Sequence, residues 1–112
     1  MHIALTERGD LTRVTDLRAR NDVFRTTLRG GCVILSAGIM ALGHKTQERI
    51  IAATQVFDDF DADDPWDAHD IGDFKITLPT GATALVFFRI EDIAWPVGPA
   101  QPAMHLLLAS EW

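Results

Sequence analysis

Apolar residues recur at Val14, Leu17, Phe24 and Leu28. Their offsets of three, seven and four place them on one helical face. Thr15 and Asp16 suit its N-terminal cap, and Gly30 and Gly31 suit its end. Arg13, Arg18, Arg20, Arg25 and Arg29 fall mostly off that face. Residues 1–12 are polar and are expected to fray. The next segment, Cys32-Val33-Ile34-Leu35-Ser36, is apolar and β-branched between glycines, which predicts a buried strand. Gly38 and Gly43 then bracket an apolar turn with Ile39, Met40 and Leu42. A second helix is expected from about Thr46, with Ile50, Ala53, Phe57 and Phe60 as its buried stripe. Asp58 and Asp59 would then sit at its C-terminal end, where the helix dipole disfavours acids.

The pattern changes period after residue 73. Phe74, Ile76 and Leu78 alternate with Lys75 and Thr77, the signature of a strand with one buried face. Pro79-Thr80-Gly81 is a turn, and residues 84–90 form a second, more apolar strand. After a proline-rich connection, Met104 to Ala109 forms a third. Short connections favour antiparallel pairing, so the predicted fold is α+β, with two helices packed on one face of a small, mainly antiparallel sheet of about four strands. One domain is expected, residues 1–112.

Composition supports a packed core. Hydrophobic residues make up 47% of the chain and charged residues 23%. A chain of this size buries roughly two-thirds of its unfolded surface, so its core requires neither metal nor disulfide. Cys32 is the single cysteine; inside an apolar strand it is expected to be buried and inert. Glu7, Arg8 and Asp10 interrupt the start before any apolar signal region forms. The apolar run from Gly30 to Gly43 is shorter than the roughly 20 residues a membrane span needs. A cytoplasmic protein with no membrane partner is expected. The formal net charge of −6 repels phosphate backbones, which argues against direct nucleic-acid binding and favours a basic protein partner. The arginines from Arg8 to Arg29 are diluted by Glu7, Asp10, Asp16 and Asp22, and are read as a solvated face or as ion-pair partners.

Charge is concentrated in one place. The segment from Phe57 to Asp73 carries Asp58, Asp59, Asp61, Asp63, Asp64, Asp67, Asp70 and Asp73, which is eight of the chain's sixteen acids, with no lysine or arginine. Mutual repulsion destabilises such a segment unless something screens it. Three chemistries fit. Asp59, Asp61 and Asp63 have the alternate spacing of a calcium loop, with Asp67 and Asp70 at later positions, but the loop's central glycine is replaced by Asp64 and its final glutamate by Asp70. His69 with Asp67 or Asp70 has the elements of a metal site or an acid–base pair. A dense carboxylate surface with Trp66 as apolar anchor would fit an arginine-rich groove. The plain alternative is a solvated loop with a bend at Asp64-Pro65 and Trp66 packed on the sheet.

The combination of short motifs is itself informative. Asp64-Pro65-x-x-x-His69-Asp70-x-Gly72, after Phe57-x-x-Phe60, resembles domain-of-unknown-function family 3768. The stretch from Arg20-Asn21-Asp22 to Gly38, the run Phe88-Arg89-Ile90-Glu91 and the ending Leu107-Leu108-Ala109-Ser110-Glu111-Trp112 are similar too. The resemblance implies a small bacterial protein of the kind often carried on plasmids and prophages, and implies no catalytic activity to carry over. Two departures stand out: Ala68 replaces the glutamate usual before His-Asp, and Asp63 replaces the asparagine usual before Asp-Pro. Both favour charge-based binding over catalysis. The expectation is therefore a small acidic accessory protein of a mobile element that binds a basic, nucleic-acid-binding protein or complex. An inhibitor of a host defence nucleoprotein, of anti-CRISPR or anti-restriction type, is the expected role. Asp58, Asp59, Asp61, Asp63, Asp64, Trp66, Asp67, Asp70 and Asp73 would form the contact, with no catalytic residue, committed metal ligand or cofactor. The alternative is a metal-binding module or metal-dependent hydrolase built on Asp64, Asp67, His69 and Asp70.

Overall fold

A computed structural model of the chain describes residues 8–60, 68–94 and 96–112, with side chains from residue 16 onward. The order of elements is α1 (Arg8–Thr27), β1 (Cys32–Leu35), α2 (Ala37–Met40), α3 (His44–Gln55), β2 (Ile71–Thr77), β3 (Thr83–Ile93) and β4 (Gln101–Leu108), closed by a single 3₁₀ turn, Ala109–Glu111. The strands form one sheet in the order β1-β4-β3-β2. β2, β3 and β4 form an antiparallel meander, because a turn joins the first pair and a short connection the second. β1 joins β4 in parallel, which antiparallel turns cannot achieve; the chain reaches β4 only after crossing through α2, α3 and two strands. The fold is α+β, as the sequence predicts.

Alternation along the strands decides which face is covered. Val86, Phe88 and Ile90 of β3 and Met104 and Leu106 of β4 are buried, and they join Phe24 of α1, Ile39 of α2 and Ile50 of α3 in one core. The helices therefore cover a single face of the sheet. Leu85, Phe87, Arg89 and Glu91 alternate with the buried residues of β3, so they belong to the opposite face. Gly72 shows how tightly the covered face is packed. A Cβ there would lie 2.5 Å from the Phe88 ring and 2.7 Å from the Phe57 ring, so only glycine lets the two aromatics close over β2.

Several boundaries differ from the sequence reading. α1 begins at Arg8 and not at the Thr15–Asp16 cap, and it ends where Leu28 turns left-handed (φ 60°), before the glycines. Its buried face is Asn21, Phe24, Arg25 and Leu28, so two polar side chains share the stripe with two apolar ones. α3 ends at Gln55, and its fully buried row is Thr46, Ile50 and Thr54. Phe57 and Phe60 pack on the core from the chain beyond it, and Asp58 and Asp59 lie past the helix, outside the reach of its last turn. The turn between Gly38 and Gly43 begins with the helical residues of α2. Cys32 is only partly buried and lies beside Pro96, Val97 and Gln101, so the expected buried position is corrected.

The end of the chain is fastened to this sheet by Glu111. Its Oε1 accepts from Ser36 Oγ at 2.5 Å and from the Leu108 amide at 2.9 Å, and its Oε2 from the Gly38 amide at 2.8 Å. These bonds, to Ser36 first, then to Leu108 and Gly38, hold the carboxyl below its ordinary range. Trp112 then packs on Phe87 of the open face, with ring centroids 5.0 Å apart.

Candidate functional site

The polar residues buried on α1 have a common target. Asn21 is 1% exposed, and its amide donates to the Ala68 carbonyl at 3.0 Å. Asp22, one residue on, accepts through Oδ1 from Arg25 Nη1 at 2.9 Å and from His69 Nδ1 at 2.8 Å. A carboxylate only accepts, so this contact assigns the His69 proton to Nδ1. The three residues Asn21, Asp22 and Arg25 thus grip the chain where it returns to the sheet at Ala68 and His69.

An aromatic chain completes the grip. The His69 and Phe60 rings stack at 3.9 Å with 7° between their planes. The Arg25 guanidinium lies over the Phe60 ring, 4.8 Å from its centroid, in cation–π geometry. Phe60 meets Phe57 edge-on at 4.9 Å, and Phe57 meets Phe88 of the core at 5.2 Å. The chain that leaves the core at Phe60 therefore returns to the same point at His69. This is a closed neck at the base of the acidic segment. Arg25 Nε is buried without a hydrogen-bond partner, so Asp22 and the Phe60 ring are its stabilising contacts among the described residues.

His69 is held in a left-handed backbone conformation, φ 57°. For a residue with a Cβ this costs about 1–2 kcal/mol. The Asn21 and Asp22 contacts offset that cost. Electrostatics agree with the geometry at Asp22. Burial raises its pKa, but hydrogen bonds and charge from His69 and Arg25 outweigh burial and leave it below the ordinary value.

The predicted contact residues divide into three groups. Asp58 and Asp59 are exposed beside the neck. Asp70 and Asp73 are partly buried at the start of the sheet and each has an interaction partner; the Asp70 carbonyl accepts from the Ile90 amide at 2.7 Å. Asp61, Asp63, Asp64, Trp66 and Asp67 lie outside the described residues. Of the alternative metal set, His69 is committed through Nδ1 to Asp22, while Asp64 and Asp67 are outside the described residues. Among the described residues no three histidine, cysteine or acidic side chains gather as metal ligands. Asp22 is the partner that sequence reading missed, since it lies 47 residues before His69. The available signal was spacing: Asn21 and Arg25 complete the i, i+3, i+4, i+7 face with Phe24 and Leu28.

The motifs gathered at this neck agree with a comparison of sequences. The model of a family described as protein of unknown function, number 3768, matches residues 35–94, more than half of the chain. The chain belongs to domain-of-unknown-function family 3768. The span matched by family 3768 contains Phe57, Phe60, His69 and Asp70, whereas Asn21, Asp22 and Arg25 precede it. A search of curated proteins and a search of solved structures gave no match. Among the described residues, no helix is long and apolar enough to cross a membrane.

Proposed function

We propose that this member of family 3768 works by binding, and that it presents the acidic segment between Phe57 and Asp73 to a basic partner protein. The observation that supports this most is the closed neck. The Phe60–His69 stack holds together the two residues that flank 61–67. A loop with anchored ends loses less conformational freedom on binding than a free one. Asp58 and Asp59 add exposed charge beside it. A row of carboxylates imitates a phosphate backbone, so the complementary partner is a nucleic-acid-binding protein or complex. Trp66 supplies the apolar anchor. The mobile-element setting that the resemblance to the family implies favours a cytoplasmic host defence nucleoprotein, such as a CRISPR effector or restriction enzyme, as the target.

The test is a tagged capture from host lysate at low and moderate salt, read by mass spectrometry. A variant with Asp61, Asp63, Asp64 and Asp67 changed to Asn runs beside the native protein. The expected result is a basic nucleic-acid-binding complex, recovered by the native protein, lost with the variant and reduced by salt. Identical recovery by both proteins would overturn the proposal. So would a melting increase with millimolar calcium, magnesium or zinc that His69→Ala and Asp70→Ala each abolish, since that is the signature of a metal site.

A further inference from the structure

The face of the sheet away from the helices carries a second candidate site. A cleft of about 500 Å³ opens there, lined by Ile34, Ser36, Arg89, His105, Leu107 and Trp112, with Leu106 and Glu111. That volume is within the usual range for small-molecule sites, roughly 300–1,000 Å³. Ile34, His105 and Arg89 are direct cross-strand partners on β1, β4 and β3, so the sheet register fixes their spacing. Leu107 lies on the same face of β4, opposite Phe87.

The polar groups of this cleft favour an acceptor ligand. Both oxygens of Glu111 are already used by Ser36, Gly38 and Leu108. Arg89 has five N–H donors. One contact, 3.2 Å from Nη2 to Glu91 Oε2, is its direct side-chain bond in the described structure, and both side chains are nearly half exposed. His105 Nε2 is 2.9 Å from the same Glu91 oxygen, yet it is buried without an aligned hydrogen bond; the contact is close but off-line. One carboxylate oxygen thus already sits where the Arg89 and His105 side chains converge. Exposed ion pairs of this type contribute little, so the Glu91 side chain is readily displaced. A cation is disfavoured because Arg89 would repel it.

The apolar part of the cleft sets the rest of the ligand. Ile34 and Leu107 line it beside the Trp112 ring, while the Leu106 side chain points into the core. Trp112 is 61% exposed; Phe87 packs on its ring at 5.0 Å and the Arg89 guanidinium lies over it at 6.0 Å, so the ring and the cation are presented together. We propose that this cleft binds a small aromatic carboxylate of one or two rings, with Arg89 and His105 on the carboxylate and Trp112 against the ring. Glu91 is not a lining residue of the cleft, but it competes from its edge by engaging Arg89 Nη2 and lying beside His105 Nε2 when no ligand is bound. The site is independent of the acidic segment.

The probe is 2-naphthoate, titrated into the full chain and followed by two-dimensional NMR, with 2-naphthamide as its uncharged counterpart. Saturable shifts are expected at the amides of Ile34, Arg89 and His105 and at the Trp112 indole N–H. The amide should bind about tenfold more weakly, in line with the strength of charge-assisted hydrogen bonds. Arg89→Met should cost about tenfold in affinity, and Glu91→Gln should tighten binding because the competitor is gone. The variant with four aspartates changed to Asn should bind the probe as the native protein does. Equal affinity for acid and amide, shifts that map elsewhere, no saturation up to about 10 mM, or full binding by a folded Arg89→Met variant would each overturn the proposal.

Discussion

Two carboxylates fasten distant parts of this chain, and they do so in different ways. Asp22 gathers two cationic or ionisable partners, Arg25 and His69, and sits under the acidic segment. Glu111 gathers neutral donors, the Ser36 hydroxyl and the Gly38 and Leu108 amides, and fixes the chain end against the open face of the sheet. Removing Asp22 leaves a buried guanidinium without its counter-charge. Removing Glu111 leaves neutral groups that water can satisfy, since that carboxyl is itself exposed. The first device closes the neck on which the proposed binding rests. The second locates a chain end.

The contrast can be broken from the Asp22 side first. Asp22→Ala should destabilise the protein by about 2–3 kcal/mol, at or below the usual cost of breaking a buried pair because Asp22 is itself partly exposed. Denaturant unfolding measures this. Asn21→Ala should cost about 1–2 kcal/mol by removing the buried amide's bond to the Ala68 carbonyl. His69→Gly should change stability by less than about 1 kcal/mol, because lost contacts are offset by relief of the left-handed backbone. Since the Asp22 pKa is depressed in the fold, its contribution is present above the unfolded value of about 3.9 and is lost as pH falls through the folded value. Asp22→Asn should therefore flatten the acid limb of a stability profile taken between about pH 2 and 5. The smallest effect belongs to Glu111→Gln, visible as faster amide exchange at Gly38 and Leu108 with little change in the unfolding midpoint.

Much of the scaffold was legible in the sequence because its strands obey period two. Phe74 and Ile76, and the run from Ala84 to Ile90, predict β2 and β3, and the structure places them there. The parallel seating of β1 on β4 was not legible, since local pattern says nothing about a partner 71 residues away in register. The neck was half legible. Phe57-x-x-Phe60 and His69-Asp70 stood out, but Arg25 read as part of a solvated face or an ion pair and Asn21 was not singled out as a core residue, because binary patterning sorts polar residues outward. Tertiary partners reversed that: a carbonyl at Ala68 and a ring at Phe60 make burial of an amide and a guanidinium favourable. Thr46 and Thr54 escaped for the same reason; Thr54 satisfies its hydroxyl on the Ile50 carbonyl at 2.8 Å and can then be fully buried.

The central claim is that the neck, and not acidity alone, makes the segment a binding element. It is tested most directly by quantitative capture of the basic partner with three proteins: native, His69→Gly, and the variant with Asp61, Asp63, Asp64 and Asp67 changed to Asn. His69→Gly keeps every aspartate and opens the Phe60 stack. The account predicts that it loses roughly fivefold or more in affinity while remaining folded, and that the asparagine variant loses binding altogether. Native affinity in His69→Gly, or equal capture by all three proteins, would contradict it.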